Sequence, residues 1–565
     1  MRSSGAVTVA GGVTVGAAEA DGAADAEGVA DADGAAEGAA DADPAALALA
    51  LIDALGAALL TAAESAGFVA SSPHAANVSE AAARAAPATP NELVAPVDRR
   101  AQKGHSAPRA TWRRQREQGS RSSIERKASR PIRSRSSSDP MPRRLPLAPS
   151  TNASPSGAGD RARLPLLDEV RAVDRDATPS YVVWEITLKC DLGCIHCGSR
   201  AGKGRSNELS TDEALDFVDQ MAALGVKEVS FIGGEVYLRD DWDRIARRAA
   251  DHGMITSIVT GGKGFTKEIA RRAKDAGVRG VGVSIDGLEE THDRLRGRKG
   301  SFAAALQALD NLREVGIPRA VNTQINTASQ GEIEAVFDVV STFGIYGWQT
   351  QFTVAMGRAA DHAELLLQPW HLLEIMPRLA ALKRRADDAR IRFEPGNNVG
   401  YFGPYEELFR GKLWRGHTEP CTAGKHTMGV EANGDIKGCP SLPTADFTGG
   451  NIREHRLEEI WRRAPALRFT RARTTEDLWG FCATCYYKEA CLAGCTWTSH
   501  VLSGKRGNQP YCHHRALELL EVGKRETITR ALAAPGEPFD FGRFAIEEEP
   551  WPEDDLERAR AEWLV

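Results

Sequence analysis

Two periodicities trade places along the chain from residue 181 onward. Tyr181–Thr187 is a short apolar and β-branched run of the kind that forms a buried strand. After a polar loop, Ser210-Thr-Asp-Glu213 has the form of a capping box, in which the serine and glutamate each satisfy a backbone N–H at a helix start. Behind it Ala214, Leu215, Val218, Met221 and Ala222 recur at helical spacing, and Gly225 closes the helix. The alternation continues with strands over Val226–Ile232, Ile255–Val259, Val281–Ile285, Arg319–Asn326 and Tyr346–Val354. Helices fall near Trp242–Ala250, Lys267–Ala276 and Ala303–Val315, and a second capping-box pattern, Ser329-Gln-Gly-Glu332, opens a helix to about Phe343. Six strands alternating with helices across short turns predict an α/β fold, a partial (β/α)6 TIM-like barrel over 178–360, with its site at the C-terminal ends of the strands.

Outside this region the pattern is lost. Residues 1–165 repeat Ala, Gly and Asp and then turn rich in Ser, Arg and Pro, which predicts a disordered low-complexity extension. The formal net charge of the 565-residue chain is only -6, but that average hides an acidic block between Glu19 and Asp43 and a basic one between Arg99 and Arg144. Trp112 is the only aromatic residue of the basic block, which argues against nucleic-acid binding. The abrupt change of composition suggests a natural start at or near Met141. No basic segment followed by a compact apolar run opens the chain, so no secretory signal is expected. The Ala- and Leu-rich run Ala45–Ala63 carries Asp53 at its middle, which disfavours a membrane span by about 2.5–3.5 kcal/mol. Past the barrel, 361–414 reads as a helical linker, 415–520 as a small cysteine-rich α+β domain, and 521–565 as an acidic, solvated tail.

None of the ten cysteines precedes Cys190, and all fall into two clustered patterns, which argues for metal rather than disulfides and for a reducing, cytoplasmic location. Cys190, Cys194 and Cys197 stand at C-x3-C-x2-C spacing directly after the first strand. Three thiolates are one short of the four that a cubane or a structural zinc takes, so one coordination position should stay open for chemistry unless a distant residue fills it. The second strand runs into Gly233-Gly-Glu235, the fourth into Ser284-Ile-Asp-Gly287 followed by His292-Asp293 and Arg296-Gly297, and the sixth into Met356-Gly-Arg-Ala359. Together these motifs resemble the radical S-adenosylmethionine (radical SAM) superfamily.

By that resemblance the three cysteines hold a catalytic [4Fe-4S] cluster whose open iron binds S-adenosyl-L-methionine. Gly233, Gly234 and Glu235 would hold the cofactor's amino group, Ser284 its ribose side, Arg296 its carboxylate, and the Met356 loop would lie near the adenine, with His196 packing on that base. A carboxylate suits an ammonium and a guanidinium fork suits a carboxylate. Seven further cysteines, Cys421, Cys439, Cys482, Cys485, Cys491, Cys495 and Cys512, follow C-x12-G-x4-C and C-x2-C-x5-C-x3-C spacings with a final cysteine beyond. This is similar to the SPASM extension of the same superfamily. The resemblance implies two auxiliary [4Fe-4S] clusters, one on Cys482, Cys485, Cys491 and Cys512, the other on Cys421, Cys439 and Cys495. Trp414–Pro420 supplies no fourth cysteine, which leaves an open iron for a substrate group such as a peptide thiolate, or a cap from His417, Glu419 or solvent.

The implied activity is reductive cleavage of S-adenosylmethionine to a 5′-deoxyadenosyl radical that abstracts hydrogen from a precursor peptide or protein. Flavodoxin or ferredoxin would serve as electron donor. Two alternatives within the class are a sulfatase-type formylglycine maturase and a cofactor-pathway oxidoreductase. An alternative from another class, a non-catalytic iron–sulfur electron carrier, has no use for the cofactor-cradling loops. No general base stands out by spacing.

Overall fold

The computed structural model describes residues 164–413, 416–419 and 421–564. The low-complexity extension, its charged blocks, the Ala45–Ala63 run and Met141 lie outside the described residues.

The barrel strands are β1 (Tyr181–Thr187), β2 (Glu228–Gly233), β3 (Ile255–Thr260), β4 (Val278–Ser284), β5 (Arg319–Ile325) and β6 (Gly347–Phe352). Each pairs with the next in parallel. The helices α1 (Thr211–Leu224), α2 (Trp242–Asp251), α3 (Lys267–Asp275), α4 (Glu289–Arg296), α5 (Ser301–Val315) and α6 (Ile333–Ser341) connect them. Outward-facing apolar residues bind the two layers: Trp184 meets Phe217 of α1 edge-on at 5.0 Å, and Trp348 meets Phe337 of α6 at 5.2 Å.

At Ser210 the capping box forms: Ser210 N donates to Glu213 at 2.8 Å and Glu213 N to Ser210 Oγ at 3.3 Å. The second pattern does not. Glu332 instead accepts from Leu288 N and Thr291 Oγ1, both at 2.7 Å, and Ser329 N donates to Asn326 Oδ1, so tertiary partners outcompete the local cap.

The expected helical linker holds α7 (Leu372–Asp388) and also a seventh strand, β7 (Arg392–Pro395), parallel to β6. The cysteine-rich segment adds β8 (Thr427–Val430), β9 (Asp435–Lys437) and β10 (Thr448–Asn451). β8 pairs in parallel with β1, so one ten-stranded sheet in the order β10-β9-β8-β1-β2-β3-β4-β5-β6-β7 runs through both domains. The short helices α8 (Thr496–Ser503) and α9 (His513–Glu521) complete the cysteine-rich domain.

The acidic tail is a correction. Residues 524–563 form an antiparallel hairpin of β11 (Lys524–Leu532) and β12 (Arg543–Pro550), followed by α10 (Glu553–Trp563). The acids that suggested a solvated end find cations across the hairpin, Lys524 with Glu548 and Arg525 with Glu549. Trp551 is buried between the hairpin and Trp370.

Candidate active site

The cysteine loop Cys190–Cys197 leaves β1 at the C-terminal end of the sheet and is fixed by backbone bonds from three neighbouring loops. Cys190 N donates to Gly202 O at 3.0 Å, while Gly193 N and Ile195 N donate to Arg296 O and Leu295 O at the end of α4, at 3.1 and 2.9 Å. From beyond β6, Arg358 N donates to Cys197 O at 2.9 Å, and the Arg358 guanidinium donates to Cys194 O at 2.7 Å and Ala201 O at 3.1 Å. The Met356-Gly-Arg-Ala loop is therefore a clamp on the cysteine loop, and Arg358 is a site residue that motif reading left without a role. Gly357 has φ 60°, and a Cβ there would stand 2.3 Å from Gly198 O and 2.4 Å from Cys197 O, so only glycine lets the clamp close. Met356 is buried, and a Cβ added at Gly198 would stand 3.2 Å from its Cε.

Gly233 and Gly234 serve the same loop. A Cβ on Gly233 would lie 2.1 Å from Thr187 O, and one on Gly234 would lie 1.9 Å from Lys189 O. Here the absent side chains let two protein segments approach each other. Glu235 follows, buried, its carboxylate accepting from Thr260 Oγ1 at 2.5 Å and Gly261 N at 2.7 Å. One ligand atom each from Cys190, Asp191 and Glu235 lie within 4.8 Å of one another. Burial pushes the Glu235 carboxyl up to about 7, against the pull of its two hydrogen bonds.

Behind the loop, Asp286 ties three predicted or motif residues together. It lies 2.7 Å from Arg296 Nη2 and 3.0 Å from His196 Nε2, and its backbone N–H donates to His292 Nδ1 at 3.2 Å. The Arg296 guanidinium beside it holds Asp286 far below the usual carboxylate range despite complete burial, and burial drops His292 to about 4. Arg296 Nη1 also points to Cys194 Sγ at 3.7 Å. Ser284 is half-buried at the C-terminal end of β4, opposite Asn322.

This constellation fits a cluster and an amino-acid cofactor. Arg296 Nε and His196 Nδ1 are buried without partners, and the Glu235 carboxylate stands beside Cys190 with the Arg296 charge within electrostatic reach. Burial raises the Cys190 thiol to about 12 and the Cys194 thiol likewise upward, so a bound metal is needed to keep them as thiolates at neutral pH.

The other seven cysteines gather in two places. Cys482, Cys485, Cys491 and Cys512 line one small cavity with Tyr401, Phe402 and His514. Cys421 and Cys439 pack with Trp497 against Phe447 and Phe469, and Cys495 lies within electrostatic reach of Cys421 and Cys439. Burial raises Cys439 to about 12 and Cys495 to about 11. His417 pairs with Glu406 at 2.9 Å and stacks on Phe402, and Glu419 pairs with Lys425 at 2.5 Å, so both suggested caps are engaged elsewhere. His513 and His514 open α9.

Beneath the cysteine loop the barrel lumen is polar. Because Trp348 and Thr323 face the helices, joined by a 2.9 Å bond from Trp348 Nε1 to Thr323 Oγ1, their neighbours Asn322, Gln324, Gln349 and Gln351 face inward. They pair across β5 and β6 as Asn322 with Gln349 and Gln324 with Gln351. The lumen continues into a cavity of about 140 Å³ lined by Tyr181, Glu228, Tyr346 and Arg392. No helix among the described residues is long and apolar enough to cross a membrane.

Comparison with known proteins agrees with this arrangement. Residues 184–332 match the family described as the radical SAM superfamily, and residues 421–486 match SPASM, an iron–sulfur cluster-binding domain. The chain is 31% identical over 348 residues to an AdoMet-dependent heme synthase of Methanosarcina barkeri, covering 60% of this chain and 97% of that protein. It is 28% identical over 323 residues to the mycofactocin maturase MftC of Mycobacterium ulcerans, covering 56% of this chain and 83% of that protein. Among solved structures, Streptococcus suis SuiB bound to S-adenosylmethionine matches at 18% identity and a TM-score of 0.47, over 60% of this chain and 76% of that one. A cysteine loop clamped at the mouth of a parallel barrel, a second cysteine field beyond it, the two family matches and the heme synthase relative together place the chain in the radical SAM superfamily, as an enzyme whose barrel is joined to an iron–sulfur SPASM domain.

Proposed function

We propose that this enzyme modifies a peptide or protein substrate held in the barrel lumen, and that two auxiliary [4Fe-4S] clusters assist it. When bound, the catalytic cluster and S-adenosylmethionine supply a 5′-deoxyadenosyl radical able to abstract hydrogen from an unactivated carbon. The chain's own part is placement. Cys190, Cys194 and Cys197 hold the catalytic cluster, Glu235 offers a carboxylate to the cofactor's ammonium, and Ser284, Arg296, Met356 and His196 surround the remainder. Cys482, Cys485, Cys491 and Cys512 hold one auxiliary cluster, and Cys421, Cys439 and Cys495 hold the other, whose fourth position is left to a substrate group or solvent.

The observation that carries the peptide reading is the double amide row of the lumen, Asn322 with Gln349 and Gln324 with Gln351. Side-chain amides offer a donor and an acceptor each, the complement of a peptide backbone, and carry no charge to select against variable side chains. The mycofactocin maturase relative supports the same class.

A second reading, a cofactor-pathway oxidoreductase acting on a tetrapyrrole, is favoured by the heme synthase relative. The electron donor is proposed to be a flavodoxin or ferredoxin of the cytoplasm.

The test is anaerobic reconstitution followed by a 5′-deoxyadenosine assay with a reductant, in the presence of synthetic precursor peptides or of a carboxylated iron porphyrin. Nucleoside release coupled to a mass change in a peptide supports the first reading. Release coupled only to porphyrin decarboxylation replaces it with the second, and iron without any nucleoside release reduces the protein to an electron carrier.

A further inference from the structure

The hairpin of β11 and β12 lies outside both matched domains, yet its tip reaches the catalytic loops. Asp540, in the turn between the two strands, makes the contact. Its backbone carbonyl accepts from Gly357 N at 2.8 Å, and its carboxylate, only 7% exposed, accepts from Arg200 Nε at 2.7 Å. Arg200 stands three residues past Cys197, and its guanidinium also pairs with Asp361, three residues past Arg358. The second carboxylate oxygen of Asp540 accepts from Gly536 N and Glu537 N at 2.5 and 3.0 Å, so one side chain both shapes the tip and seats it. On either side of Asp540, Phe541 forms an antiparallel bridge with Met356, and the Phe539 ring lies 3.8 Å from Lys437 Nζ of β9. Phe539 has φ 57°, a left-handed conformation that a residue with a Cβ keeps only where its surroundings impose it.

Successive N–H groups of the Met356 loop therefore bond to different parts of the chain: Gly357 N to Asp540 O in the hairpin, and Arg358 N to Cys197 O in the cysteine loop. We infer that Asp540 is a positioning residue for S-adenosylmethionine binding, a strap from the C-terminal hairpin that holds the Met356 loop and the end of the cysteine loop at the spacing the cofactor needs. Glycine at 357 makes such a strap necessary, because a residue without a Cβ has the widest choice of backbone conformations and is fixed by its hydrogen bonds. Arg200 carries the same constraint to the cysteine loop: it too is left-handed, at φ 53°, and two carboxylates hold its side chain. Removing the Asp540 side chain leaves every cysteine and the Arg358 bonds in place, so the clusters stay while the cofactor pocket loosens. The inference rests on the reading that the Met356 loop borders the cofactor.

The test compares reconstituted full-length enzyme with Asp540→Ala, Asp540→Asn and Lys524→Ala, the last of which breaks an ion pair at the far end of the same hairpin. Iron and sulfide are counted first. S-adenosylmethionine binding is then measured by equilibrium dialysis, and amide hydrogen exchange is followed over residues 356–359. Asp540→Ala is expected to keep its iron, to bind the cofactor about ten- to a hundredfold more weakly, the usual effect of losing a residue that orients a site, and to exchange faster over the loop. Asp540→Asn, which keeps an acceptor for Gly536 N and Glu537 N but gives Arg200 no charge, should fall between, and Lys524→Ala should match the unmodified enzyme. Should Asp540→Ala lose its iron, Asp540→Asn carries the same comparison. Unaltered cofactor affinity in an iron-replete Asp540 variant, or an equal fall in Lys524→Ala, would overturn the inference, the second by making the hairpin purely structural. An unmodified protein that holds its iron and binds no S-adenosylmethionine would sink the cofactor reading itself, and this inference with it.

Discussion

Replacing Gly234 with alanine separates two accounts of the Gly-Gly-Glu motif. If the glycines exist to let the cofactor approach the backbone, Gly234→Ala lowers cofactor affinity and leaves the cluster in place. The geometry favours another outcome. The new Cβ would stand 1.9 Å from Lys189 O, 2.4 Å from Lys189 C and 2.8 Å from the Cβ of Cys190, all shorter than the 3.0 Å that real Cβ atoms respect. Lys189 must retreat by more than an ångström, and the 2.7 Å bond from Glu235 N to Lys189 O breaks with it. Overpacking of this kind costs about 1–3 kcal/mol, and a buried backbone group left unsatisfied about as much again. The sum, about 2–6 kcal/mol, falls on the residue adjacent to Cys190 and disfavours the seated cysteine loop by a factor of about thirty or more. The assay is iron and sulfide content after anaerobic reconstitution, with S-adenosylmethionine binding measured in parallel. We expect loss of about four irons, one cubane, with auxiliary iron retained. A variant that holds full iron and shows only weakened cofactor binding would refute the packing argument.

Other substitutions probe the same site. Arg358→Ala removes three hydrogen bonds to Cys194 O and Ala201 O and is expected to make the catalytic cluster labile to chelator while melting temperature falls by only a few degrees; an unchanged chelation rate would dismiss the clamp. Glu235→Gln should leave iron content intact and reduce cofactor affinity by about tenfold or more, read by equilibrium dialysis; unaltered affinity would remove Glu235 from the cofactor site. Asp174, fully enclosed by Arg171, Arg468 and Arg471, has its carboxyl lowered to about 2 from 3.8. Its stabilisation, about 2 kcal/mol, is therefore fully present above pH 4 and lost as pH falls through about 2. Asp174→Asn should forfeit it at neutral pH, and denaturant midpoints equal to those of the unmodified protein would contradict that.

The barrel was legible because its strands are buried on the helix-facing side and its helices carry local start and stop signals, as at Ser210 and Gly225. What local pattern could not reveal were partners distant in sequence. β7 is four residues long and is a strand only because β6 offers an edge. The Ser329 capping box was a sound local reading that lost to Leu288 and Thr291, which claim Glu332 from across the fold. The C-terminal acids looked like a solvated end because their cationic partners, Lys524 and Arg525, lie some twenty residues upstream. At the site, spacing singled out the cysteines, but Arg358 and Asp286 gained roles only when the loops converged. Both stand inside the Met-Gly-Arg-Ala and Ser-Ile-Asp-Gly motifs, but the carbonyl oxygens that Arg358 holds and the histidine that Asp286 holds lie far away in sequence, where no spacing rule reaches.

The pairing of β8 with β1 has a consequence for how this protein can be divided. β1 is the strand that delivers the cysteine loop, and without β8 its outer side would be a bare row of hydrogen-bonding groups at the rim of an open barrel. Cutting the chain before the cysteine-rich domain would therefore not release a smaller working enzyme. It would leave an adhesive edge beside the catalytic loop, prone to recruit another chain, so the two modules have to be inherited, expressed and engineered as one piece.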